Sequence, residues 1–98
     1  MRYVVLHHTG HGEPHYDLMV ERDTEGPLAT WRLPAWPPSD GMAAEAIADH
    51  RRVYLEYEGP VSNGRGEVRR VASGDTDGDG IDVDGERWAV RDGRLHRA

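Results

Sequence analysis

The sequence contains no cysteine. Disulfides and thiolate metal sites are therefore excluded, and any metal must be held by His, Asp, Glu or backbone oxygen. The missing disulfides accord with a reducing compartment, so a soluble, cytoplasmic protein is the expectation. Long apolar runs are also lacking. The stretch from Met1 to Leu6 contains an Arg and gives way to two histidines, which is too short for a signal peptide or a membrane span. Positive charge is scarce: 12 basic residues oppose 18 acidic ones, for a formal net charge of −6. Proteins that grip nucleic acid through many phosphates are usually basic, so this balance argues against tight, non-specific DNA binding. It leaves room for a local basic pocket that takes only a chain end. Sustained helical periodicity is missing too.

What remains is a chain of 98 residues, 37% hydrophobic and 31% charged, with Trp, Tyr, Val and Leu spread along its length. Disorder is excluded on that distribution, and one domain spanning residues 1–98 with one modest core is expected. Short β-rich segments alternate with Gly and Pro breakers. Strands are predicted over Arg2–His8, His15–Arg22, Leu28–Leu33, Val53–Tyr57 and Glu67–Ala72. Asp84-Gly85 and Asp92-Gly93 are hairpin signals that join Ile81–Val83, Arg87–Val90 and Arg94–His96. Met42–His50 reads two ways. Ala43, Ala44, Glu45 and Ala46 favour a helix capped by Ser39 or Asp40, but the length also suits a strand. The fold class expected is all-β, a small antiparallel β-barrel with at most one or two short helices.

Five potential ligands, His7, His8, His11, His15 and Asp17, fall close together. Strand alternation sends Tyr16, Leu18 and Val20 to one face and His15, Asp17 and Met19 to the other. His8 ends the preceding strand and reaches the same site if the two strands pair antiparallel. Two imidazoles and a carboxylate suit manganese, iron or zinc. The competing reading is a chance cluster of surface histidines on an outer face.

Several blocks then occur in a distinctive order: His8, a short loop, His15-Tyr16-Asp17, Trp31-Arg32-Leu33-Pro34, Asp49-His50 with Tyr54, Tyr57-Glu58-Gly59, and Gly64-Arg65-Gly66. From about Arg2 to Ala72 this order resembles the 3′-phosphoesterase domain of bacterial DNA ligase D. The resemblance implies a β-barrel core and a divalent metal, commonly manganese, on His8, His15 and Asp17. It implies that His50 and Tyr54 lie at the phosphate. The implied activity is removal of a 3′-phosphate or a terminal ribonucleotide during DNA end joining, with a ligase or polymerase as partner. Three cations of that family fall on Met19, Ala35 and Met42. A bidentate Arg clamp has no substitute in Met, which leaves open a catalytically weakened metal-binding module. Arg32 and Arg65 are the candidates to supply charge instead. The loop between His8 and His15 is one residue longer than in the family, so His7, His8 or His11 is the first ligand.

Asp75 to Glu86 matches the ligand spacing of an EF-hand calcium loop, but its flanks read as strands and Asp84-Gly85 as a turn within it. A solvated acidic loop is expected there. Trp31, Trp36 and Trp88 are expected to fill the core, with Trp36, in its Pro-rich setting, the one placed to stack on a base.

Overall fold

Alternation along the second predicted strand places apolar side chains on both of its faces, and the fold buries both. A computed structural model describes residues 1–98 as ten strands and one 3₁₀ turn. The strands are β1 (Arg2–Thr9), β2 (His15–Val20), β3 (Leu28–Leu33), β4 (Met42–Ala43), β5 (Glu45–His50), β6 (Gly59–Pro60), β7 (Glu67–Asp75), β8 (Ile81–Val83), β9 (Glu86–Arg91) and β10 (Arg94–Arg97). The 3₁₀ turn is Arg52–Leu55. All pairings are antiparallel. One sheet runs β5-β3-β2-β1-β7-β6 and the other β4-β10-β9-β8. The all-β expectation holds. The two sheets meet at corners near Ala44, between β4 and β5, and at a Thr76–Ile81 bridge, but they are not closed into one hydrogen-bonded ring. No helix is long and apolar enough to cross a membrane.

Tyr3, Val5, Leu18 and Val20 face the second sheet and pack with Trp88, Ile81 and Leu95. Their neighbours Val4, Leu6 and Met19 face the other way and pack with Leu28, Leu55 and Val68. That outer face is covered by a strap, residues 51–62, which lays Leu55 on the sheet and Tyr54, Tyr57 and Val61 beside it. Side chains tether the strap. Buried Glu21 accepts from the Arg2 amide at 2.6 Å and ion-pairs with Arg52, which also donates to the carbonyls of Asp23 and Gly26. Arg2 and Arg70 both reach the Leu55 carbonyl.

Tertiary context settles one open reading and overturns another. Met42–His50 forms strands rather than a helix, because its backbone pairs with β3 and β10 while Ala44 is sealed in the corner. Val53–Tyr57 is not a strand. It pairs with no strand, and a 3₁₀ turn buries Leu55 while leaving Val53 55% exposed. Strand β7 runs longer than predicted, and its register against β1 slips at Val5/Leu6, which leaves Val71 as a bulge. Both hairpins form as predicted. Asp84 and Gly85 have φ of 49° and 83°, and Asp92 and Gly93 have 52° and 73°, the left-handed pair a tight two-residue turn demands.

Tyr3 ties the sheets together, donating its hydroxyl to the Asp82 carbonyl at 2.7 Å. Burial, reinforced by Asp84, Asp82 and Asp75, pushes its phenol above the usual tyrosine value. A raised folded-state value means that the stabilisation is complete below the unfolded value, about pH 10, and is lost as pH rises through the folded one. Urea midpoints are therefore expected to fall more steeply above about pH 10 for the wild type than for Tyr3→Phe. Parallel slopes would show that Tyr3 carries no alkaline sensitivity.

Candidate metal centre

Antiparallel pairing sets His8 directly opposite His15, and Leu6 opposite Asp17. Side chains at paired positions share a face, so His8, His15 and Asp17 project together from the strap side of the large sheet. Their ligand atoms lie within 4.8 Å of one another. His7 points the other way and stacks on Tyr16, with ring centroids 4.4 Å apart. His11 is exposed in the loop, its ring 6.3 Å from that of His8. Of the three candidates for the first histidine, His8 is the one in the cluster.

Backbone carbonyls set the orientation of both rings. His8 Nε2 is 2.7 Å from the Arg65 carbonyl, and His15 Nδ1 is 3.0 Å from that of Glu13. A carbonyl only accepts, so these nitrogens carry protons, and in the neutral rings the opposite nitrogens are bare. The bare atoms face the carboxylate: His15 Nε2 lies 3.3 Å from Asp17 Oδ1, and His8 Nδ1 lies 3.9 Å from Oδ2. Asp17 is only 2% exposed, and its Oδ1 has no hydrogen-bond partner. Burying an unpaired carboxylate costs several kcal/mol, roughly, unless something positive meets it. A cation meets that need. The separations suit donors placed about 2.0–2.2 Å from a shared ion, and the outward N–H groups rest on carbonyls as metal-bound histidines usually do. The residues present therefore fit a divalent metal, with His8, His15 and Asp17 as its protein ligands and further positions open.

Two cavities meet at His8. The larger, of about 410 Å³, is lined by His8, Asp17, Met19, His50, Tyr54 and Arg65, with Arg51 and Ser62 at its side. The other, of about 400 Å³, is lined by His8, His11, Glu13, His15 and Arg32. His50 ends β5 and donates Nδ1–H to the Ala48 carbonyl at 2.9 Å, leaving Nε2 free; its ring centroid is 6.0 Å from that of Tyr54. Arg32 lies opposite Asp17 across β2 and β3, exposed and on the same face, but makes no ion pair with it. His50 and Tyr54 thus share a cleft with His8 and Asp17, and Arg32 lies in the neighbouring one with His15. Arg51 is a cleft residue that sequence reasoning missed; its place directly after Asp49-His50 was the available signal.

Glycine brings the Arg65 carbonyl to His8. Gly66 has φ of +79°, and a Cβ there would stand 2.0 Å from the Thr9 carbonyl oxygen. Gly66→Ala is therefore expected to cost at least about 1–3 kcal/mol from backbone strain alone. Loss of the carbonyl that orients His8 is expected to weaken manganese binding about 10–100-fold. Urea denaturation and a metal titration check the two effects. Unchanged values in both would show that the loop adjusts freely.

The acidic loop is organised for itself. Asp77 Oδ1 accepts from the amides of Asp79 and Gly80 at 2.9 and 3.1 Å, while Arg87 holds its other oxygen. These amides, with Arg87, hold the Asp77 carboxyl below the usual range. Glu86 pairs with Arg97. The acidic side chains do not converge, and the flanks are strands, so the EF-hand spacing is not expressed as a calcium loop. The tryptophans are core. Trp88 is buried, while Trp31 and Trp36 are half-buried against the inter-sheet cluster.

Comparison with known proteins returns no family model that matches this chain and no match among curated proteins.

Proposed function

We propose that this protein is a divalent-metal-dependent phosphoesterase acting at nucleic-acid 3′ ends, removing a 3′-phosphate or a terminal ribonucleotide. The observation that carries the reading is the buried Asp17 carboxylate, its Oδ1 without a hydrogen-bond partner, facing His8 and His15 on the wall of an open cleft. Manganese is the first choice of metal, with zinc or another transition metal as substitutes. When bound, the ion would polarise a phosphoryl oxygen and supply water of lowered pKa.

The side chains have separable tasks. Arg51 and Arg65 line the cleft and would neutralise phosphate oxygens, while Arg32 would do so from the adjoining cavity. Tyr54 would donate a hydrogen bond to charge developing on phosphate. His50 is held by Ala48 through Nδ1, so in the imidazolium form its Nε2 would be the atom that delivers a proton. Water would add its oxygen to phosphorus as the P–O ester bond breaks, the departing 3′-oxygen would take the His50 proton, and the proton shed by the water would return to His50 through solvent. The net charge of −6 restricts affinity to a chain end at this pocket and disfavours a long tract of duplex. A ligase or polymerase of end joining would use the resulting 3′-hydroxyl.

Met19 favours a second reading, a metal-binding module that recognises a nucleic-acid end or a repair partner without useful turnover. Met19 is 1% exposed on the cleft side, where the resembled family carries Arg. An Arg introduced there would enter the apolar cluster around Leu6 and Leu28, so the native protein makes the better test. Manganese is titrated with a 3′-phosphate oligonucleotide present, reading metal binding and phosphate release together. Manganese-dependent release supports the enzyme. Binding without release supports the module, and no binding removes both.

A further inference from the structure

We infer that the strap carries a nucleobase-stacking subsite, formed by Tyr57, Tyr54 and Arg51, beside the candidate metal centre. This rests on the phosphoesterase reading and names the part of the substrate that it leaves undescribed. A third cavity, of about 300 Å³, is lined by Arg51, Val53, Tyr54, Tyr57, Pro60 and Val61. It adjoins the 410 Å³ cleft through residues common to both, namely Arg51, Tyr54, Val61 and Ser62. A group held at His8 and Asp17 can therefore continue into it without leaving the surface.

The chemistry of this cavity differs from that of the cleft. The cleft offers imidazole, carboxylate and guanidinium; the adjoining cavity offers aromatic faces. Tyr54 and Tyr57 meet edge to face, their centroids 6.0 Å apart at 78°, and the Arg51 guanidinium lies 6.0 Å from the Tyr54 ring centre. Both tyrosines are only half-buried. Aromatic rings beside a guanidinium plane receive a flat, electron-rich ring, which is what a nucleobase presents. Polar groups able to read a base edge are few. The Tyr57 hydroxyl is already donated to the Pro60 carbonyl, which leaves Tyr54 and Ser62 as the other side-chain hydroxyls lining the cavity. The subsite therefore stacks a base without discriminating strongly among bases. The three tryptophans, engaged with the inter-sheet core, leave this task to the tyrosines of the strap.

Adenosine 3′-monophosphate and inorganic phosphate are titrated calorimetrically into the protein with and without manganese. Adenosine 3′-monophosphate is expected to bind roughly tenfold or more tightly than phosphate, the contribution of one stacked base. Tyr57→Leu, which keeps apolar bulk over the sheet, is expected to erase the difference, and Tyr57→Phe to preserve it. Equal affinities in the wild type, binding of neither probe, or an unaltered Tyr57→Leu would overturn the subsite. The manganese dependence of phosphate binding reports separately on the metal centre. A nucleotide advantage that persists without manganese upholds the stack even if the phosphoesterase reading fails.

Discussion

Asp17→Asn is expected to abolish manganese binding, with a loss of at least about 100-fold, and at the same time to stabilise the metal-free protein. The opposite signs follow from one geometry. Asp17 is buried, its Oδ1 has no hydrogen-bond partner, and Nε2 of His15 stands 3.3 Å away. With neutral rings and no cation, a charged carboxylate there would meet two lone pairs in a low-dielectric setting. An amide removes the charge and can donate N–H to the His15 nitrogen, so a gain of about 1–3 kcal/mol is expected from relieving the unpaired group. With manganese the order reverses. A ligand at 100 times its dissociation constant adds about 2.7 kcal/mol to the wild type and nothing to a variant that cannot bind it. Thermal melts of both proteins, with chelator and with manganese, should therefore cross. If Asp17→Asn lowers stability in chelator, the carboxylate was paired with a charged imidazole and the cluster needs no ion.

Trp88→Ala is expected to cost about 3–5 kcal/mol, the usual range for deleting a buried large aromatic. A domain of this size has about 5–15 kcal/mol in total, so the variant should sit at the edge of folding. Trp88 is 2% exposed, lies in β9 between β8 and β10, and packs in the cluster that joins the two sheets. Arg97 lies over its ring at 5.0 Å. The indole Nε1 is buried without a partner, so its N–H contributes nothing that a phenyl ring would lose. Trp88→Phe is therefore expected to cost much less, about 1.5 kcal/mol or under after repacking. Guanidinium denaturation followed by circular dichroism separates the two. Equal losses would place the importance of Trp88 in its polar edge rather than its volume.

Residues whose neighbours in sequence are also their neighbours in space were legible. Asp84-Gly85 and Asp92-Gly93 specify their own backbone, and the alternation of His15, Asp17 and Met19 against Leu18 and Val20 needs nothing beyond the strand. Met42 to His50 stayed open between helix and strand because local preference at Ala43 to Ala46 favours helix, while the partners that decide the outcome, Arg94 for Ala43, Arg32 for Glu45 and Trp31 for Ala46, are remote. Val53 to Tyr57 misled because β-rich composition does not reveal that the segment turns to bury Leu55 instead of pairing with a strand. At the site, His8 could be separated from His7 only once the register with His15 was known. The Arg65 carbonyl that orients His8 comes from 57 residues away, through a backbone group whose role no residue identity encodes.

The tethered strap divides the labour of the site between two kinds of scaffold. The candidate ligands stand on β1 and β2, at the centre of the larger sheet, where opening requires the fold to break. His50, Arg51, Tyr54 and Tyr57 stand at the sheet's edge or on the strap, which is held by Arg2, Arg52, Arg70 and one buried apolar side chain, Leu55. Amides of the strap should exchange with solvent long before those of β1 and β2. Sequence change can then explore new substrates along the strap while the ion-holding half stays fixed, much as a tool head is exchanged on an unaltered handle.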